Sequence, residues 1–210
     1  MFYRHGVEPG KLPSLSSYLE RLPRGLDSYP DVVVKASVYR DSLASLSLDD
    51  CLGVLPDELR ELVTHPLPVT AWVPEVRSLS ILIAVRDRHF PQTEAGVDAY
   101  EEWVFERNYR LLRRPLYRAL FMLLSPERLI SGVERRWSAF RRGTSLRVVE
   151  RSEGRADLAI THPENLFDHT VRRGMCGAFR AASVAAGARD VTAEVVDVAE
   201  RETRVRVCWR

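Results

Sequence analysis

Histidine is the residue type in this 210-residue sequence best suited to acid–base chemistry and metal binding. Either role needs a partner, since a helix binds zinc through two histidines on one face and a general base needs a group that orients it. No two histidines in the sequence have the spacing that places a metal-binding pair on one face of a helix. We therefore expect no metal site and expect each histidine on the surface or at a helix cap. The five are His5, His65, His89, His162 and His169.

Cysteine is the second reactive residue type. Cys51, Cys176 and Cys208 are an odd number at wide spacing, which favours a reduced, cytoplasmic protein over a disulfide framework. Cys51 lies in an apolar helical segment, where a free cysteine usually packs as a small hydrophobe. No nucleophile elbow, Walker loop or dinucleotide fingerprint occurs. We expect a protein that is not an enzyme, with an enzyme using Cys176 or His169 as the weaker alternative.

The charges indicate where a charged partner could bind. The net charge is only +2, which gives no overall attraction to nucleic acid or to an anionic membrane. The adjacent pairs Asp49-Asp50 and Glu101-Glu102 indicate solvated helix faces, because neighbours on a helix point in different directions. Ten arginines against three glutamates between residues 104 and 142 are the strong asymmetry. These helices could bind an acidic protein or nucleic acid, but we see no aromatic-interleaved motif that favours nucleic acid.

Residues 142–210 contain the clearest secondary-structure pattern. Two alternating runs, Leu146–Val149 and Ala156–Ile160, flank a glycine turn and predict a hairpin. A helix rich in glycine and alanine follows over residues 165–186 and ends at Gly187. Two further strands, residues 191–198 and 204–209, complete the order β-β-α-β-β. Because such a sheet has one face for the helix to cover, the sequence predicts an α+β fold.

The final strand predicts which side of the sheet faces the core. Val205, Val207 and Trp209 alternate with Arg204 and Arg206. Since side chains alternate between the faces of a strand, the apolar residues should point inward and the arginines outward.

The remaining two thirds of the chain is predicted to be mainly helical. Breakers in residues 1–30 predict an irregular arm with at most one short helix, near Ser14–Leu22. The segment Val32–Val38 fits either a strand or a helix. Ser125, followed by a proline and a glutamate, predicts a capped helix start. No linker or membrane-spanning run is visible, so we expect one domain over residues 31–210, with a helical part (31–143) packed on an αβ unit (144–210).

These features resemble a known family. The resemblance rests on Arg114–Leu124, on Ser125–Ile130 with Trp137, on the hairpin, on the helix segment with Phe167 and Gly174, and on Val205–Trp209. They are similar to an uncharacterised paralogous family of myxobacteria whose members have about 200 residues. That family is distantly similar to haem-dependent nitric oxide/oxygen-binding domains, to 4-vinyl reductase domains and to Bet3-type subunits of the Golgi tethering complex. The resemblance is best over residues 41–210.

The resemblance implies a function and a place for it. It implies a non-enzymatic, sensor-like protein that binds a small molecule in an apolar pocket between helices and sheet, or a signalling adaptor. The partners that it implies are a second copy of the chain and another protein. The residues that would line the pocket are Trp72, Trp103, Phe121, Met122 and Phe167.

The resemblance also bears on cofactors. The haem-binding branch carries a Tyr-x-Ser-x-Arg signature, which does not occur in this sequence. The 4-vinyl reductase branch often places cysteines in the C-terminal unit, where only Cys176 and Cys208 stand. We therefore expect no cofactor, haem included, and no metal.

Overall fold

The computed structural model describes residues 12–113 and 124–210, and it is an α+β structure, as the sequence predicts. The chain forms two compact units, Met1–Tyr100 and Glu101–Arg210. The boundary between them lies inside a helix, well before the division that we predict at residues 143 and 144. That residues 31–210 form one domain stays a prediction.

Unit 1 is mainly helical, with two short strands. The strands pair antiparallel, with Val34 opposite Val73. The ambiguous segment Val32–Val38 thus forms both structures, a strand and then the first turn of a helix. Residues 25–27 and 49–54 form short 3-10 turns. In chain order the elements are α1 (Pro13–Arg21), β1 (Val33–Lys35), α2 (Ser37–Leu43), α3 (Asp57–Thr64), β2 (Trp72–Pro74), α4 (Glu75–His89) and α5 (Glu94–Leu112), of which α5 continues into unit 2.

Helix α4 is the centre of unit 1. Helices α1, α2 and α3 all contact it. Of the thirteen residues Glu75–Asp87 only Arg77 is not buried. A helix with an amphipathic pattern would leave one face in water, so a helix covered on all sides is the core element of its unit.

A carboxylate on α4 begins helix α1. The residue before α1, Leu12, has no side-chain cap for the free backbone N–H groups of the first turn. Asp87, which is fully buried, instead accepts from Ser14 N at 2.8 Å and from Leu15 N at 3.0 Å. Arg86 and Gln92 donate to the other oxygen of the same carboxylate. Asp87 therefore does for α1, from another helix, what an N-cap residue usually does locally.

Unit 2 contains the predicted β-β-α-β-β order. After the C-terminal part of α5 it consists of α6 (Pro126–Ser131), α7 (Val133–Phe140), β3 (Arg141–Arg142), β4 (Ser145–Ser152), β5 (Arg155–Thr161), α8 (His169–Ala185), β6 (Thr192–Ala199) and β7 (Glu202–Cys208). The four long strands form an antiparallel sheet in the order β4-β5-β7-β6. Helix α8 contacts β6 and β7, and α7 contacts β4.

Helix ends in unit 2 follow local signals. Ser125 accepts from Arg128 N, which confirms the predicted cap of α6, although Gly132 divides the continuous helix that we predicted. Helix α8 begins three to four residues later than predicted, because Asp168 is its cap and accepts from Val171 N at 2.8 Å. Gly187 has φ +92°, a left-handed conformation that ends the helix as predicted.

The register of the sheet is also as predicted. Val205 and Val207 are fully buried and Trp209 is 6% exposed, whereas Arg204 lies on the exposed face. Gly154, in the β4–β5 turn, has φ +68° and lies so close to Trp209 that a Cβ atom would be 2.6 Å from its carbonyl oxygen. The turn therefore needs glycine both for its conformation and for space.

Candidate functional site

The cysteines that could act as nucleophiles are buried. Cys176, on α8, is 1% exposed, and burial raises the pKa of its thiol to about 12. Cys51 is equally enclosed, and burial raises the pKa of its thiol to about 11. A thiol needs to be accessible and ionised in order to react. Cys51 and Cys176 thus contribute packing, as we predicted for Cys51.

Next to Cys176, Gly177 marks where α8 approaches α5. A Cβ atom at this glycine would lie 2.5 Å from Glu101 O and 3.1 Å from Phe105 N. At Gly177 the neighbour of α8 is therefore the backbone of another helix, α5.

Two arginines of α8 hold Glu101 on either side of this approach. Arg173 Nε lies 2.5 Å and Arg180 Nη1 lies 3.5 Å from its carboxylate oxygens. Arg180 also pairs with Glu102 at 3.1 Å. Glu101 is only 8% exposed, so the prediction of a solvated Glu101-Glu102 pair is wrong for Glu101. The pairing links α5 to α8 within unit 2 and leaves this carboxylate little freedom for catalysis.

His162 is buried, which contradicts the prediction of a surface or capping role. Its Nδ1 lies 2.8 Å from Pro163 O and its Nε2 lies 3.0 Å from Thr203 Oγ1. Because a carbonyl can only accept, Nδ1 carries the proton and Nε2 accepts from the threonine hydroxyl. Burial lowers the pKa of the ring, and Arg172 lowers it further. The ring of Phe167 packs against it at 4.7 Å. His162 is thus a neutral link between strands β5 and β7.

The other histidines of the described ranges lie at or near the surface. Thr64 Oγ1 contacts His65 Nδ1 at 3.0 Å, and His89 Nε2 lies 2.7 Å from Ser47 O. His169 is exposed at the first residue of α8. Across residues 12–113 and 124–210, no three His, Cys, Asp or Glu side chains are grouped so that they could hold a metal ion. His65 and His169 are both exposed.

The five residues predicted to line a ligand pocket have different surroundings. Trp72, in unit 1, carries Lys35 Nζ 4.0 Å above its ring. Trp103 and Phe167 belong to unit 2, where Trp103 packs against the Arg107 guanidinium and Phe167 against His162. Phe121 and Met122 lie outside the described residues. As a ligand-lining set, the five residues stay a prediction.

Two serines of α4 have hydroxyls that make no hydrogen bond to a carbonyl of their own helix. Several serine and threonine hydroxyls of other helices donate to the carbonyl four residues before, as Ser42 Oγ does to Val38 O at 3.2 Å and Ser131 Oγ to Glu127 O at 2.7 Å. Ser78 and Ser80 are fully buried, yet neither hydroxyl has a hydrogen-bond partner in the part of the chain that the structure describes. A buried hydroxyl without a partner calls for an explanation, such as an enclosed water or a ligand.

The residues that share a helix face with Ser80 are apolar. On a helix, the residues three and four positions away share a face. Ser80 therefore shares its face with Val76, Ile83 and Ala84, all of which are fully buried. Ligand sites combine such apolar walls with a few polar groups that orient the ligand. No pattern in the sequence indicates this site, because the apolar spacing that predicts α4 treats its serines as ordinary helix positions.

Comparisons with known proteins find relatives only among solved structures. No family model matches the chain, and no curated protein matches it. Similar structures include an H-NOX protein from a study of heme distortion (TM-score 0.49, 10% identity, 83% of this chain and 86% of that one). They also include an unliganded Fe(II) H-NOX protein from K. algicida (0.47, 8%, 84% and 96%) and an oxygen-binding H-NOX domain related to soluble guanylate cyclases (0.47, 12%, 83% and 86%).

The likeness is distant and does not assign a ligand to this chain. Among the groups named in the resemblance, the similar structures belong to the haem-NO-binding domains. The myxobacterial family, the 4-vinyl reductase domains and the Bet3-type subunits stay predictions. The same comparison contradicts our expectation of no cofactor and no haem, because the similar structures are H-NOX domains, which bind haem. We withdraw that expectation.

Within the described residues, an enclosed ligand for a haem iron does not stand out. His162 uses both ring nitrogens in hydrogen bonds, the thiols of Cys51 and Cys176 are buried, and His169 is exposed.

No helix of residues 12–113 and 124–210 is long and apolar enough to cross a membrane.

Proposed function

We propose that this chain is a non-enzymatic protein that binds a small, largely apolar molecule beside helix α4 and serves in sensing or signalling. The observation that carries the proposal is the pair of buried hydroxyls, Ser78 Oγ and Ser80 Oγ, which have no hydrogen-bond partner among the described residues, whereas the hydroxyls of Ser42 and Ser131 bond to their own helices. A buried hydroxyl without a partner costs about 1–3 kcal/mol. A bound molecule with one polar group would remove that cost on whichever face of α4 it occupies.

The two serines mark different faces of α4, so one small ligand would contact only one of them. Residues two positions apart point in nearly opposite directions on a helix. Ser80 has the more apolar surroundings, since its neighbours on the helix face are Val76, Ile83 and Ala84. Ser78 follows Glu75, whose carboxylate is also buried, by three positions. We therefore place an apolar ligand on the Ser80 face and a more polar one on the Ser78 face.

The alternative of an enzyme based on Cys176 has less support. Its thiol is enclosed, and the pKa of about 12 leaves almost none of it ionised at neutral pH. His169 lies in water at the start of α8. A catalytic residue is expected in a cleft that binds a substrate and excludes water.

Native mass spectrometry of the purified protein tests the proposal. We expect a small molecule to remain bound, and we expect Ser80→Ala or Ser78→Ala to lower the fraction of protein that carries it. Ser42→Ala is the matched control, because the Ser42 hydroxyl bonds to its own helix. If no molecule is bound and both α4 variants are more stable than the wild type, the hydroxyls are only unsatisfied groups and the proposal is wrong.

Haem is the first molecule to test, because H-NOX proteins are the structural neighbours. The absorption spectrum of the protein, as purified and after addition of hemin, shows whether haem binds. If it does, His169→Ala shows whether the exposed His169 takes part, through a change in the spectrum. If the spectrum has no haem bands but native mass spectrometry detects a bound molecule, the ligand is a molecule other than haem.

We further propose that the chain is a cytoplasmic protein and, as the resemblance implies, a homodimer that binds a protein partner. Size-exclusion chromatography with light scattering measures the mass in solution. A monomer at all accessible concentrations would contradict the dimer and leave the ligand proposal intact.

A further inference from the structure

Helix α4 carries buried polar atoms that have no hydrogen-bond partner in the part of the chain that the structure describes. Besides the two serine hydroxyls they include two arginine nitrogens, so that the set is Arg77 Nε, Ser78 Oγ, Ser80 Oγ and Arg86 Nε. Buried polar atoms are normally hydrogen-bonded. Their concentration on one helix indicates a partner that the chain itself does not supply.

Arg77 and Ser80 are close enough to share one partner. Residues three positions apart are neighbours on the surface of a helix, with Cβ atoms about 5–6 Å apart. Ser78 and Arg86, in contrast, are separated by about 12 Å along the helix axis. One small polar group can therefore meet the first pair but not the second.

Helix α1 and the turn of residues 25–27 cover the side of α4 on which this pair lies. Both elements contact α4. Asp87, which caps α1, follows Ser80 by about two helical turns and so lies on the same side. Arg77 Nη2 lies 3.0 Å from Asp27 Oδ1 in the turn. The pair thus lies where α4 meets the elements that cover it.

The two ends of this place differ in polarity. The Arg77 side chain is 29% exposed, although its Nε is enclosed. Ser80 is fully buried, and so are Ile83 and Ala84, which continue along the helix away from Arg77. A ligand here would have its polar group near water at Arg77 and its apolar part inside the unit.

The hydrogen-bond donors determine which polar group fits. The Nε–H of an arginine can only donate, so its partner must be an acceptor. The Ser80 hydroxyl can donate as well, and the two oxygens of a carboxylate can accept one hydrogen bond each. Bonds between a guanidinium and a carboxylate are charge-assisted and stronger than neutral ones. An amide fits less well, because its own N–H groups would face donors.

We propose that the ligand beside α4 is a small apolar carboxylic acid, an inference that rests on the function proposed above. Its carboxylate accepts from Arg77 Nε and Ser80 Oγ, and its apolar part lies along Ile83 and Ala84. Asp27, whose side chain is 71% exposed, pairs with the same guanidinium and competes with the ligand for its charge.

Ligand-observed NMR with the full chain tests the proposal. The probes are hexanoate and hexanamide, which has the same chain and a carbonyl but no charge. We expect hexanoate to bind at least about tenfold more tightly than hexanamide. Ser80→Ala and Arg77→Gln should each weaken hexanoate binding at least about tenfold, and Arg77→Gln should also remove the preference for hexanoate.

Arg88→Gln is the matched control for Arg77→Gln. Arg88 lies on the same helix, its side chain is also 29% exposed, and it also pairs with an exposed aspartate, Asp50. Its Nε, however, has a partner, since it donates to Asp50 at 2.8 Å. We expect this variant to change hexanoate binding less than about twofold. Ser42→Ala is the control for Ser80→Ala, because the Ser42 hydroxyl bonds to its own helix.

Asp27→Asn tests the competition for Arg77. It removes an exposed carboxylate, so we expect a folded protein that binds hexanoate several-fold more tightly. Circular dichroism checks the fold of every variant. If Arg77→Gln does not fold, Arg77→Lys replaces it, because lysine keeps the charge but has no Nε–H.

Four results would overturn the proposal. They are wild-type protein that does not bind hexanoate, equal or tighter binding of hexanamide or 1-hexanol, an equal loss of binding in Arg88→Gln, and no tighter binding in Asp27→Asn. The proposed function is measured separately, by native mass spectrometry of the purified protein. A neutral molecule found there would contradict the acid and leave the proposed function intact.

Discussion

His162 is held neutral inside the protein, and for that reason stability should depend on pH. Burial lowers the pKa of its ring from the ordinary 6.5. Below that pH the unfolded chain takes up a proton that the folded chain resists, so the free energy of unfolding falls as the pH falls. At higher pH the ring is neutral in both states and the contribution is complete.

We therefore expect urea unfolding to show lower stability at about pH 5 than at about pH 7, with a smaller difference in His162→Gln. That variant should also be less stable at every pH, because it loses the packing against Phe167. His169→Gln, an exposed change, is the control and should keep the pH dependence of the wild type. An unchanged slope in His162→Gln would mean that other groups cause it.

Trp209 and Arg206 belong to opposite faces of the same end of the sheet, and they should differ in their effect on stability. Trp209→Ala removes a buried ring whose Nε1 donates to Glu127 at 3.3 Å, and should cost about 3–5 kcal/mol. Arg206→Ala removes two hydrogen bonds of 3.0 Å to Asp157, which Arg155 still contacts. For this partly exposed pair we expect a loss of about 1 kcal/mol or less. Thermal unfolding measures the loss of stability in both variants. If Arg206→Ala lost more stability than Trp209→Ala, the register of the strand would be inverted.

At the scale of elements, Gly177 determines how closely α8 approaches α5. A Cβ atom there would meet backbone atoms, Glu101 O at 2.5 Å and Phe105 N at 3.1 Å, which cannot turn away as a side chain could. We expect Gly177→Ala to destabilise the protein by about 1–3 kcal/mol, in spite of the better helix propensity of alanine. Gly53→Ala is the control, because nothing lies within 4 Å of a Cβ atom at Gly53. Equal effects on urea unfolding would show that the helices can separate without cost.

Asp87 joins α4 to the start of α1. Asp87→Ala would leave Ser14 N and Leu15 N without their acceptor and Arg86 with a buried charge that has lost its carboxylate. Removing one member of a buried charged group costs about 3–5 kcal/mol. Asp57→Ala, which removes an exposed pair with Arg60, should cost less than about 1 kcal/mol. Hydrogen exchange should show that α1 loses protection first in Asp87→Ala, and uniform loss would contradict a local capping role.

The sequence predicts local features of these elements better than their partners. The alternation of Val205, Val207 and Trp209 identified the inner face of β7, because strand period and burial are linked along the chain itself. The start of α8 was placed too early, since the cap at Asp168 competes with a helix-like composition from residue 165 onward. The burial of Glu101 depends on Arg173 and Arg180, which lie 72 and 79 residues away, and no local pattern contains that information.

The candidate site could not be predicted either, because it too depends on neighbours that no local pattern contains. Ser78 and Ser80 become unusual only when their neighbours are known, because a serine within a helix normally satisfies its own hydroxyl. Of the aromatic residues predicted to line a pocket, Trp72 lies under Lys35 and Trp103 under Arg107. Their role in binding a ligand stays a prediction.

At the scale of the whole molecule, the question is whether the two units unfold together. We predict one domain over residues 31–210, and one domain should have one cooperative transition. Native-state hydrogen exchange measures this without a mutation, because the slowest amides of α4 and of β7 report on units 1 and 2 separately. Equal free energies of opening would support one domain. A clearly lower value for either unit would show that residues 1–100 and 101–210 fold independently.

The irregular strands at the two ends of the sheet limit how far it can grow. β4 and β6 are the outer strands, and the ladder shifts between Val148 and Glu150 on one and between Val195 and Asp197 on the other. Val196 and Val198 are exposed on β6, so a straight strand there would attract further chains and start a fibril. The bulge twists the edge and spoils the template for a fifth strand. Chains that gather at high concentration are thus less able to add to one another's sheets.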